Sequence, residues 1–195
     1  NPVVATGFFL NGGTRYVRDS NAGIENFLFN AATHGTESLS KDALNARLES
    51  MGTSFSTVNQ YDYTGLQMTS LKRTYDESWV LFEDVLLNPR FAEEEVELVR
   101  QQIQSAIKSE KDDPDSYVRL ISNKLYYEGH PYAVSLNGDE EVIKTLTAED
   151  LHDYHQQSVT KTRGLVVVVG DLSADMVKAK VQSLAAALPT EPEPT

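Results

Sequence analysis

Apolar and polar positions alternate along the chain in short blocks that predict a mixed α and β protein. Pro2 to Leu10 is apolar and partly β-branched and ends at Asn11-Gly12-Gly13, a buried strand running into a turn. Asp19 to Gly23 offers capping residues before a helix over Ile24 to Thr33. Ser40 opens a second helix, with Leu44, Leu48 and Met51 at helical spacing and Gly52 as the stop. Two strand-like runs follow, Ser54–Val58 and Tyr63–Met68, joined by the turn material Asn59 to Asp62. A helix from Thr74 to Leu87 places Trp79, Phe82, Val85 and Leu86 on one face, and Asn88-Pro89 closes it.

The clearest helix is Glu93 to Glu110, with Val96, Val99, Ile103, Ala106 and Ile107 as its stripe and acidic residues in its first turn. Asp112-Asp113-Pro114 breaks it, and another helix runs to Tyr127. Short helices are expected at Glu140–Lys144 and at Ala148–Gln157, the second opened by Thr147 with Asp150 three residues on. Leu165 to Val169 reads as a buried strand, and Ser173 caps a final helix over Ala174 to Leu188. Residues 1–188 therefore read as one domain. The Pro/Glu-rich 189–195 reads as a linker to a second domain. The opening Asn-Pro-Val-Val-Ala reads as the middle of a domain, with a first strand expected upstream.

Charge narrows the partners. A formal net charge of −12 and a sequence pI near 4.7 repel phosphate backbones and anionic lipid heads, which argues against nucleic acid and membrane insertion. No apolar run approaches the ~20 residues that span a bilayer. Cysteine is absent, which removes disulfides, thiolate zinc sites and a cysteine nucleophile.

Several segments, in order, resemble one domain of the pitrilysin/insulinase-type zinc metallopeptidases, the family of the mitochondrial processing peptidases and the core proteins of the cytochrome bc complex. They are Gly12-Gly13-Thr14-Arg15, Gly23 to Asn30 with Gly35-Thr36, Asn88 to Phe91, Asp112-Asp113-Pro114, His130-Pro131-Tyr132, Leu146 to Leu151 and Val169-Gly170-Asp171. The resemblance implies an α+β fold, a mainly antiparallel sheet packed against helices. It also implies an inverted zincin motif, His-x-x-Glu-His, whose imidazoles ligate zinc and whose carboxylate activates the bound water.

Matching Phe27-Leu28 to the centre of that motif puts Asn26 and Asn30 at the imidazole positions and Phe29 at the general base. The distant third-ligand position falls on Ala106, with 75 residues between it and Asn30, and the supporting acidic position falls on Val99. None of these side chains is a strong zinc donor or a proton carrier. The expectation is therefore a homologue that needs no cofactor where its active relatives use zinc, with Phe29, Val99 and Ala106 packing the former metal pocket.

The resemblance also implies a strand beside the metal helix, here Ser54, Phe55, Ser56, Thr57 and Val58, that can hold an extended peptide by edge pairing. The same-class reading is an inactive subunit or half that pairs with a homologous, zinc-bearing domain around a peptide-holding chamber. The alternatives are a structural subunit resembling the bc-complex core proteins, or a non-catalytic domain of a longer zinc endopeptidase chain. A bacterial cytoplasm or periplasm is the expected setting rather than a mitochondrion. Of the four histidines, His152 and His155 read as a solvated helix face, His34 as a helix-end residue, and Glu93 to Glu95 as a helix start facing water.

Overall fold

The computed structural model describes residues 2–190, so most of the expected linker at 189–195 lies outside the described residues. Four strands form one sheet: β1 (Val3–Asn11), β2 (Ser54–Asn59), β3 (Tyr63–Leu71) and β4 (Gly164–Val169). Their order is β2-β3-β1-β4 and every neighbouring pair is antiparallel. Two-residue periodicity sends Val4, Thr6, Phe8 and Leu10 of β1, with Leu66 and Met68 of β3, into the core. On the other face, Leu165, Val167 and Val169 of β4 are 59%, 41% and 65% exposed, so helices cover the sheet from one side only.

Eight α-helices are described: α1 (Ile24–Ala32), α2 (Lys41–Met51), α3 (Tyr75–Leu87), α4 (Glu93–Asp112), α5 (Pro114–Tyr126), α6 (Glu140–Thr145), α7 (Ala148–Ser158) and α8 (Ala174–Ala187). The α3 stripe expected from the sequence is the centre of the core. Trp79 and Phe82 lie 5.7 Å apart between ring centroids, and Phe55 of β2 meets Phe82 at 6.2 Å. Phe27 and Leu28 of α1, and Val96, Val99, Ile103 and Ile107 of α4, complete it. Each such burial is worth about 1.5–3 kcal/mol before entropy is counted.

Most boundaries fall within a few residues of the sequence reading. The helix α4 continues to Asp112, and Asp113 then caps the start of α5: its carboxylate accepts from the Ser116 amide at 2.9 Å, and Pro114 takes the first turn of α5, where no amide is needed.

Two features fix α1, which carries Asn26, Phe29 and Asn30. Gly23 stands at its N-cap with φ +98°, back to back with Gly138; a Cβ on Gly23 would meet the Gly138 Cα at 2.8 Å and the Ile143 side chain at 2.9 Å. Glycine at both positions lets segment 135–139 press onto the start of the helix. Glu25 then pairs with Arg163 at 2.9 Å, both side chains nearly fully buried, and Tyr154 of α7 donates its hydroxyl to the same carboxylate oxygen at 2.8 Å. The Arg163 Nε donates to the Asn11 carbonyl at 3.0 Å, and its guanidinium lies over the Tyr16 ring. This cluster ties the start of α1 to β1, to the segment entering β4, and to α7.

Candidate functional site

Asn26 and Asn30 lie one helical turn apart on α1 and are both half-buried. The Asn30 amide nitrogen donates to the Asn26 carbonyl at 2.8 Å and to the Asn26 side-chain oxygen at 2.9 Å. The Asn30 oxygen accepts from the Thr57 hydroxyl of β2 at 3.2 Å. Asn26 and Asn30 thus form an amide clamp that fastens α1 to an edge strand. An amide already engaged on both its nitrogen and its oxygen is poorly placed to ligate a metal.

Phe29 and Val99 are buried, as the sequence suggested. Ala106 is exposed, which corrects the expectation of an apolar-filled pocket. The α4 face that packs inward runs through Val99, Ile103 and Ile107, leaving residue 106 outside it, where alanine fills no core space. Phe29 also packs away from the amides, toward Leu66, Val85 and Leu86.

Beside the clamp lies a polar cleft of about 480 Å³ that the sequence reading missed. Asn26 forms one wall, Asn59 and Tyr61 mark the end of the β2 edge, and Asn123, Asn137 and Glu110 face them. Glu110 lies one helical turn beyond Ala106 on α4. Its carboxylate accepts from the Ser135 hydroxyl at 3.2 Å and the Asn137 amide at 3.0 Å, so it holds the loop that roofs the cleft. Asn59 donates to the Leu136 carbonyl of that same loop and accepts from Thr64 at 3.0 Å. Asn123 donates to the Tyr61 hydroxyl at 2.9 Å. The four-residue step from Ala106 to Glu110 was the available signal in the sequence.

Strand β2 stands at the free edge of the sheet, next to this cleft. Of the five residues singled out there, Phe55 and Thr57 point to the helices, against Phe82 and Asn30. Ser54, Ser56 and Val58 alternate with them and face the other way.

The histidines also differ from expectation. His155 is half-buried and its Nε2 lies 2.8 Å from the Leu86 carbonyl, which makes that nitrogen the protonated one; burial pushes its pKa below the usual value. His152 sets its ring edge-on to Phe91 at 4.9 Å. The face is therefore packed rather than solvated, because the 86–91 segment turns back over it. His34 contacts Glu95 at 2.8 Å, and Lys41 donates to the same oxygen at 2.8 Å. Burial alone would raise the Glu95 carboxyl, but these two partners outweigh it and hold it below its ordinary range. Glu95 is thus a joint between α4, α2 and the turn that follows α1, while Glu93 and Glu94 face solvent.

Among the described residues no three His, Asp or Glu side chains gather in an arrangement that could hold a metal ion. No helix of the described residues is long and apolar enough to cross a membrane.

The family model for insulinase, peptidase family M16, matches residues 1–140. The chain belongs to the insulinase family. Insulinase-family relatives include bovine cytochrome b-c1 complex subunit 1, 25% identical over 88% of this chain and 36% of that protein. The mitochondrial-processing peptidase subunit beta of Caenorhabditis elegans is 23% identical over 88% of the chain and 37% of its own length. A crystal structure described as a peptidase M16 inactive domain from Pseudomonas fluorescens superposes on the whole chain with a TM-score of 0.88 at 24% identity, and the match covers 47% of that chain. This insulinase-family chain thus spans less than half the length of these relatives.

Proposed function

We propose that this chain is a non-catalytic insulinase-family domain that pairs with a homologous, zinc-bearing domain and helps hold a peptide for it. The observation that carries the reading is the clamp of Asn26, Asn30 and Thr57, with an exposed Ala106 in place of a third donor. Zinc needs neutral imidazole or anionic ligands at about 2.0–2.2 Å and a carboxylate to move the proton of its bound water. These positions supply amides, a phenyl ring and a methyl group. The residues present do not fit a catalytic zinc, and no step of peptide hydrolysis is assigned to this chain.

What remains for such a domain is binding. The edge strand Ser54 to Val58 can hydrogen-bond an extended peptide through its backbone, a mode that requires no metal. The amide-rich cleft at its end supplies both donors and acceptors for such a backbone. An inactive P. fluorescens relative of the same fold supports the loss of chemistry, and the two-fold greater length of the structural relative supports a homologous partner. The similarity to cytochrome b-c1 complex subunit 1 favours a second reading, a purely structural subunit.

Elemental analysis for zinc, paired with peptidase assays of the chain alone and with an intact family partner, tests the first reading. The expected result is no stoichiometric zinc, no activity alone, and cleavage that increases when the partner is added. Zinc bound at one equivalent with activity in the isolated chain would overturn it. For peptide holding, titration of an extended peptide should shift the backbone amide resonances of Ser54 to Val58. A titration that leaves those signals unmoved would favour the structural reading.

A further inference from the structure

Alone among the eight α-helices of the described residues, α5 buries none of its side chains. Its outward positions Val118, Ile121 and Leu125 form an apolar stripe exposed by 64%, 37% and 72%. Its inward positions Ser116, Leu120 and Asn123 are only half-buried, because open space lies beside them. On one side is the polar cleft, and on the other an open groove of about 630 Å³ that reaches Ile107 of α4. Glu110, Leu120 and residues 133–135 line both, so the two spaces lie against the same stretch of α5. Close-packed interiors hold their helices by interlocking side chains. Helix α5 lacks such a seat.

Its two ends are held differently. Asp113 is the single residue between α4 and α5, extended at φ −89° and ψ 117°, and Pro114 after it has no amide to bond back onto α4. Past the far end, Gly129 turns the chain at φ +76°, in a place where a Cβ would meet no atom within 4 Å. Two side-chain hydrogen bonds fasten this end to the turn between β2 and β3. Asn123 donates to the Tyr61 hydroxyl at 2.9 Å, and the Tyr132 hydroxyl donates to Asp62 at 2.7 Å. The Tyr61 and Tyr132 rings lie 4.9 Å apart between them. By contrast, the loop beyond Ala133 is fixed to α4, β2 and α1 through Glu110, Asn59 and Gly138.

We propose that residues 114–132 form a lid over the cleft, hinged at Asp113 and latched to the β2–β3 turn by Asn123 and Tyr132. Opening moves Leu120 and Asn123 away from Asn26 and Glu110 and widens the cleft toward solvent. It breaks the two latch hydrogen bonds and pulls no buried side chain of α5 out of the core, unlike the repacking that a buried helix would need to move. The latch grips the turn at the end of β2, so a segment lying along that strand meets the lid where it opens. The lid stands whether or not the cleft takes peptide.

Spin-label distances in the full chain test this. The chain has no cysteine, so labels on Gln60→Cys and Ser122→Cys, both exposed, report the separation across the latch. With the latch intact, one distance should dominate. A hydrogen bond of ordinary net strength shifts an equilibrium about fivefold. Asn123→Ala with Tyr132→Phe should therefore raise the open population on the order of twentyfold, from about 1% to a visible second, longer distance. Amide exchange across Val118 to Ser122 should stay as it was, since the helix swings without unwinding. A distance distribution unmoved by the double variant would overturn the proposal. So would a broad distribution with α5 exchange quickened in step, which is a helix that melts rather than a lid that swings.

Discussion

Glu25 and Arg163 stand 138 residues apart in sequence and meet at 2.9 Å with side chains only 2% and 1% exposed. Desolvating two such charges costs several kcal/mol each, and their attraction returns this only while both are present. Arg163→Met should therefore destabilise the fold by about 3–5 kcal/mol in a urea titration, because it strands the Glu25 carboxylate. The double variant Glu25→Gln/Arg163→Met should be less damaging than the sum of its parts. The pair's own atoms Glu25 Oε2 and Arg163 Nη1 lack hydrogen-bond partners among the described residues, so the pair is not fully compensated even in the native fold. His155 makes a second residue-scale prediction. Burial lowers its folded pKa, so the unfolded chain binds the proton more readily as pH falls below about 6.5. Its contribution is present above that value and is lost as pH falls through the folded pKa. Thermal melts from pH 7.5 to 5 should show a fall in Tm over this range. His155→Gln should flatten the fall, at the cost of a lower Tm at pH 7.5.

At the scale of elements, α5 rests on α4 and the 131–133 turn and is held at its start by the Asp113 cap. A helix without buried side chains opens by local unfolding well below the global barrier. Its amides should exchange with solvent faster than those of α3 and α4. Asp113→Ala should speed that exchange further, at a cost of about 1 kcal/mol to the helix. Legibility in the sequence also divides by element. Trp79, Phe82 and Val85 announced α3 because one face of a helix repeats every 3.6 residues, and the core confirmed it. The Asp113-Pro114 break announced α5, but periodicity could not tell that its apolar stripe would be left bare. That depends on what packs nearby. Likewise Asn26, Phe29 and Asn30 could be read as a motif emptied of donors, whereas the clamp onto Thr57 depends on a strand 27 residues away. Ala106 was misread as a packed residue, since exposure is set by the rotation of α4 against α1.

For the whole molecule, the sheet has one covered face and one bare one. The bare half along β4 consists of Leu165, Val167 and Val169, whereas β2 and β3 show Ser54, Ser56, Gln67 and Thr69 on the same side. Exposed apolar residues in a row attract other chains. Replacing Val167 by Thr and Val169 by Lys should change stability by less than about 0.5 kcal/mol each, as surface substitutions do. The same pair should lower the binding of a hydrophobic dye, which a fluorescence titration reads directly.

The central place of β1 also governs the order in which the molecule can be assembled. It is made before either of its neighbours, and β3 can pair with one of its sides once residue 71 is made. Its other side must wait for Gly164 to Val169. At usual synthesis rates of ~5–20 residues per second, that is a delay of roughly ten to thirty seconds. Throughout it, the strand Val3–Asn11 offers an open hydrogen-bonding edge flanked by Phe8, Phe9 and Leu10, a template for pairing with the wrong chain. Nascent chains stalled before residue 164 should therefore aggregate or recruit chaperones, and synthesis of β4 should free them: the latest of the four described strands is the one that closes the earliest.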